Sequence, residues 1–161
     1  MEEGKDLARV TDRMRALCSR REYCSADIMK KVTSALDGDR TQAEIIVARL
    51  IEEKYIDDLR YASAFARDKA SIAGWGEMKI RYMLSAKGIS KETISEALDS
   101  IDEGKAFGRL EKLMETKARS LKDDPQARLK MLRFGVGRGY AYEAVARVTD
   151  RIIELWKDSE D

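Results

Sequence analysis

The chain has 161 residues, 43% hydrophobic and 38% charged, with 31 cations against 30 anions and a formal net charge of +1. This composition excludes wholesale disorder, which needs low hydrophobicity and high net charge, and it leaves no global field to attract a polyanion, so any nucleic-acid contact must come from local clusters of Lys and Arg. Histidine is absent, which excludes Ser–His and Cys–His nucleophile pairs and His-ligated metals.

Cys18 and Cys24 have the wrong spacing for a zinc knuckle or a redox CxxC pair and read as free thiols of a reducing cytosol. The opening "MEEGKDLARV" is polar and acidic, unlike a secretory signal. No run approaches the ~18 apolar residues of a membrane span. A cytoplasmic, non-membrane protein is expected.

Proline occurs once, at Pro125, and apolar residues fall at helical rather than alternating spacing. Leu7, Val10, Met14 and Leu17 line a first helix. A polar turn at Cys24–Ser25 leads to a basic segment with Ile28 and Val32, and "LDGDRT" links it to a helix carrying Ile46 and Leu50. Leu59, Ala62, Phe65, Ala66 and Ile72 share the next face, followed by Ile80, Met83 and Leu84, then by Ile94, Ala97, Leu98 and Ile101. The last set is Leu110, Leu113 and Met114, then Leu129 and Leu132, then Val145, Val148 and Ile152. Ser90 and Asp124 read as helix starts, the latter with Pro125 at the first helical position, and Gly88 reads as a left-handed C-cap.

Residues 85–98, "SAKGISKETISEAL", align with residues 136–149, "VGRGYAYEAVARVT". Trp75 to Leu84 align with Tyr23 to Val32. Three copies of a three-helix unit of roughly fifty residues account for this self-similarity. The expected boundaries are 1–56, with an N-terminal extension, then 57–102, then 103–161, with an acidic tail. The fold class is all-α, and a unit this small gains stability from its neighbours.

Asp57 and Asp58 stand side by side in "YIDDLRYASAFA". Ahead of an apolar helical series, an aspartate accepts hydrogen bonds from the free N–H groups of the first turn and favours the positive end of the helix dipole. A magnesium or acid–base site needs further converging carboxylates, and no spaced acidic set accompanies the pair. Both are read as structural caps. No catalytic residue, metal ligand or cofactor is assigned.

The stretch "YIDDLRYASAFARDKASIAGWGEMKIRYMLSAKGIS" resembles the central signature of the RecX family, bacterial regulators of the RecA recombinase. The matching elements are Asp57–Asp58, Arg60–Tyr61, Ala64–Phe65, Arg67, Gly74–Trp75–Gly76, Lys79–Ile80 and Lys87–Gly88–Ile89. "ALCSRREYCSADIMKKV" and "RFGVGRGYAYEAVARV" extend the resemblance over about residues 14–152. It implies three tandem helix-turn-helix-like repeats in an elongated, curved arrangement. It also implies a non-enzymatic protein that binds the RecA filament groove and limits filament growth, ATP hydrolysis, strand exchange and repressor co-cleavage in recombination, repair and the SOS response. The implied partners are RecA and single- or double-stranded DNA without sequence preference, met by a monomer.

Such a groove calls for cations on one side of each unit. The middle helices supply Lys30 and Lys31, then Lys79 and Arg81, then Arg128, Lys130 and Arg133. Arg20, Arg21 and Lys69 precede them, and Lys87 and Arg138 follow. A solvated helix face is the alternative for any one of these, but acids concentrate in the third helices and the tail, which favours a role for the set. Tyr23, Trp75, Tyr140 and Tyr142 suit packing within a unit or stacking on a base. A sequence-specific helix-turn-helix DNA-binding protein is the competing reading. It is disfavoured because asparagine is absent and glutamine is confined to Gln42 and Gln126. A helical scaffold for protein partners alone is the third.

Overall fold

A computed structural model describes residues 2–160. Among these, nine α-helices and no strand occur. They are α1 Glu2–Arg20, α2 Ser25–Ala35, α3 Arg40–Glu52, α4 Asp58–Ser71, α5 Glu77–Ala86, α6 Lys91–Asp99, α7 Glu103–Arg119, α8 Ala127–Gly137 and α9 Tyr142–Ser159. No described helix is long and apolar enough to cross a membrane. The chain divides into two compact units, Met1–Ala64 with Leu84–Ala97, and Phe65–Met83 with Leu98–Asp161.

The helices recur in threes. Buried Val10 and Met14 of α1 match Ala62 and Ala66 of α4 and Leu110 and Met114 of α7, at i and i+4 in every case. Each middle helix ends in the same hydrogen-bonded turn. The N–H of Gly38 reaches Thr33 O (2.9 Å), that of Ile89 reaches Leu84 O (3.3 Å), and that of Tyr140 reaches Gly135 O (3.3 Å). These are the six-residue closures of a Schellman motif, which needs one left-handed residue. The residues there are Asp37 (φ 55°), Gly88 (φ 81°) and Gly139 (φ 98°).

In the first compact unit, α1–α3 enclose Val10, Met14, Ile28, Val32, Ala43, Ile46, Val47 and Leu50. The turn at Lys87–Gly88 lies against the start of α2. A Cβ on Gly88 would sit 3.3 Å from Ala26 Cβ, the Cys24 thiol donates to Lys87 O across 3.9 Å, and Lys87 Nζ pairs with Asp27 at 3.5 Å. Asp57 accepts from the Arg60 N–H (3.0 Å) and so caps its own helix. Asp58 instead serves α2, accepting from the Ser25 N–H and the Ser25 hydroxyl, each at 2.7 Å. The sequence expectation had both aspartates on α4. The difference arises because the N-cap of α2, Cys24, makes no side-chain capping bond, and a carboxylate 33 residues away supplies it.

In the second unit, α7–α9 pack Leu110, Met114, Met131, Leu132, Val145, Val148 and Ile152. The turn at Arg138–Gly139 lies against the start of α5 in the manner of the first junction, but closer. The N–H of Gly76 donates to Arg138 O (2.8 Å) and that of Met78 to Gly139 O (2.9 Å). A Cβ on Gly76 would fall 2.5 Å from the Gly139 carbonyl, and one on Gly139 would fall 2.4 Å from Lys79 Cβ. Arg138 Nη1 donates to Ala73 O (3.1 Å) and the Tyr140 hydroxyl to Gly74 O (3.2 Å).

Some local expectations are corrected. Pro125 lies in a turn, because Asp124 accepts from the Gln126 N–H (2.8 Å) and α8 begins only at Ala127. Ile72 lies past the end of α4 and is 83% exposed, and Leu129 faces outward from α8.

Two stability predictions follow from the junctions. Gly139→Ala adds a left-handed strain to a backbone clash and should cost about 2–4 kcal/mol, whereas Gly38→Ala, with open space around it, should cost about 1 kcal/mol; equal losses in urea melts would refute the close-approach argument. A double-mutant cycle on Asp58→Ala and Ser25→Ala should give a coupling of about 1–3 kcal/mol, and a coupling near zero would mean the carboxylate does not hold α2.

Candidate functional site

The cations named from sequence fall into distinct chemical settings. Arg81 bonds Glu77 (2.9 Å) one turn earlier on α5, Arg128 bonds Asp150 of α9 (2.9 Å), Lys130 pairs with Asp124, and Lys87 pairs with Asp27. The effects are visible in acidity. Lys87 is held protonated beyond its ordinary range by the nearby Tyr61 and Asp27, and the Asp124 carboxyl lies below its usual range, mainly through its bond to Lys130. These cations already have carboxylates, and a new anion would have to compete for them. Arg20, Lys30 and Arg133 are exposed and make no ion pair among the described residues.

The remainder gather on aromatic rings. Arg21 lies over the Tyr23 ring at 4.1 Å from its centroid, with Lys31 at 5.9 Å. Lys79 and Lys69 lie over Trp75 at 4.3 and 4.8 Å. Arg138 and Lys117 lie over Phe134 at 5.2 and 5.4 Å. Phe65 meets Trp75 edge-on, its centroid 6.2 Å away. Each set of three helices thus carries one half-buried ring flanked by two cations.

The fold explains the placement. Tyr23 and Trp75 sit in the short connections just before α2 and α5. The glycines beside Trp75 let the chain turn there: Gly74 is left-handed (φ 70°) and Gly76 is covered by the Gly139 turn. Lys69 and Lys117 each stand in the last turn of the first helix of their set, where a cation also favours the negative end of the helix dipole. A cation over a ring is held by the ring's quadrupole rather than by an opposite charge, so its net charge remains available to a phosphate or carboxylate, although Arg138 also donates Nη1 to Ala73 O.

Lys117 and Phe134 were missed in the sequence reading. Lys117 has a sequence signal, because it occupies the position in α7 that Lys69 occupies in α4, three residues after Met114 as Lys69 is after Ala66. Phe134 has none, since its ring comes from within α8 rather than from the turn before it. Tyr140, in contrast, is a packing residue, buried to 8% exposure, and burial raises its phenol's pKa. Among the described residues no group of three or more His, Cys, Asp or Glu could hold a metal ion.

A family model described as RecX, second three-helix domain, matches residues 57–98. The regulatory protein RecX of Chromohalobacter salexigens is 32% identical over 130 residues, covering 80% of this chain and 83% of that protein. That of Clostridium tetani is 30% identical over 119 residues, covering 71% of this chain and 54% of the relative. The chain spans about half the length of the clostridial relatives it matches. Among solved structures, RecX from Lactobacillus salivarius gives a TM-score of 0.84 at 20% identity, covering 94% of this chain and 99% of that one. A second crystal structure of a regulatory protein RecX gives 0.81 at 24%, covering 90% and 72%. At those identities the structures speak for the fold, and the all-α arrangement in sets of three helices agrees with them. On the identity and coverage shared with the Chromohalobacter protein, the chain belongs to the RecX family of regulatory proteins.

Proposed function

We propose that this protein regulates the RecA recombinase by binding the groove of the RecA–DNA filament, where it limits filament growth, ATP hydrolysis and strand exchange. It acts by occupying the groove and performs no chemistry of its own. The observation that carries the reading is the recurrence of a ring between two cations in each of three modules, taken as residues 1–56, 57–102 and 103–161. A periodic polyanion presents phosphates at regular intervals, and a repeated cationic unit can follow them. Cations that contact phosphates carry no sequence information, so the DNA contact has no sequence preference. The absence of asparagine and scarcity of glutamine agree with this. The partners are RecA and single- or double-stranded DNA, met in the cytoplasm by a monomer.

Added to RecA, ATP and single-stranded DNA, the protein should suppress ATP turnover at sub-stoichiometric amounts; full turnover at equimolar protein would end this reading. The ring-held and ion-paired cations should also separate. Lys69→Glu with Lys79→Glu should weaken inhibition by about an order of magnitude and flatten the salt dependence of duplex DNA binding by roughly 0.9 log units per lost phosphate contact. Arg128→Glu should change it by about twofold or less, since its charge is already spent on Asp150. Titrations with circular-dichroism checks of folding decide this, and equal effects would show that the rings do not mark the contact.

A further inference from the structure

The second compact unit contains a cavity of about 730 Å³, within the range that binds small molecules and peptide side chains. It lies where the two junctions differ. At the first junction Asp58 of α4 bonds Ser25 at the start of α2. The corresponding residues of the second junction are Ala106 of α7 and Glu77 at the start of α5. Alanine offers no acceptor, Glu77 bonds Arg81 instead, and both Ala106 and Glu77 line the cavity.

Three features of its wall specify an occupant. Trp75, Phe107 and Tyr140 make an aromatic lining. Arg109 also lines it, and its Nε is buried without a hydrogen-bond partner; a buried N–H donor is satisfied by an oxygen acceptor. Asp99 and Glu103 are exposed, also line it, and make no ion pair among the described residues. An apolar side chain for the rings, a carbonyl oxygen for Arg109 and a cation for the two carboxylates occur together in one kind of ligand. We propose that this cavity is a docking site for an extended peptide segment of a partner protein in which an apolar residue is followed by lysine or arginine. The site shares Trp75 with the ring-held cations Lys69 and Lys79 but differs from them in chemistry, since it seeks positive charge where they seek negative. It stands or falls apart from the RecA reading.

The test uses the full chain, nitrogen-15 labelled, titrated with two acetylated, amidated hexapeptides, Gly-Ser-Leu-Lys-Lys-Gly and Gly-Ser-Leu-Glu-Glu-Gly, while the Trp75 indole N–H resonance is followed. The lysine peptide should shift that resonance saturably and bind at least about tenfold more tightly than the glutamate peptide, a ratio set by the two free carboxylates. Ala106→Trp should abolish the shift by filling the cavity. Should that variant fail to fold, Asp99→Lys with Glu103→Lys, both at exposed positions, should invert the preference between the peptides. No saturable shift with either peptide, equal affinity for both, or a preference unchanged in the charge-reversed variant overturns the proposal.

Discussion

The junction between the second and third sets of helices depends on how closely two pieces of backbone can approach. A helix must end in a left-handed residue to turn back on itself in a Schellman closure. In the second and third sets that residue is also where the chain meets the start of another helix; a Cβ there would be tight at Gly88, 3.3 Å from Ala26 Cβ, and would clash at Gly139, 2.6 Å from Lys79 N. Glycine supplies the positive φ at both and the missing Cβ that Gly139 requires. The first set uses the same closure with Asp37 in the left-handed position, and the neighbouring Gly38 has open space around it. Conformation alone tolerates an aspartate, whose short polar side chain visits this region more readily than most; contact is what demands glycine.

The same junctions organise the surface chemistry. Gly76 is pressed against the Gly139 turn, which fixes the connection holding Trp75, and Trp75 in turn holds Lys69 and Lys79. Packing and charge are therefore coupled through one short loop. Arg138 shows the coupling in a single residue: its carbonyl accepts from Gly76, its guanidinium donates to Ala73 O, and the same group lies over Phe134.

Near-neutral net charge conceals a division of labour. Some cations are matched to carboxylates and contribute to helix packing, as Arg15 does with Glu53 and Asp12 and Arg151 with Glu111. Others are matched to aromatic rings. The kinds look alike in a composition count, and Arg15 belongs to both, since it also lies 5.9 Å from the Tyr55 ring centroid. The cavity beside Arg109 carries the opposite bias, with the exposed Asp99 and Glu103 on its wall.

Much of the architecture was legible in the residues. Helical spacing of apolar side chains, the scarcity of proline and the Lys-Gly-Ile and Arg-Gly-Tyr turns specify nine helices in repeating sets, because these signals are local and each acts within one or two turns of chain. The capping role of Asp57 was also local. Asp58 was not, since its partner Ser25 lies on another helix and nothing in the neighbouring sequence encodes that bond. Sorting the cations likewise required the tertiary structure. Arg81 and Lys79 are two residues apart on one helix, but Arg81 pairs with Glu77 one turn back on the same helix, whereas Lys79 meets the Trp75 ring only once the turn before α5 has folded under the Gly139 backbone. What the sequence determined by itself was the period and the elements. Which cations meet a distant carboxylate, as Arg128 and Lys87 do, and which meet a ring was decided by long-range packing, because those contacts depend on distances in space that spacing along the chain does not set.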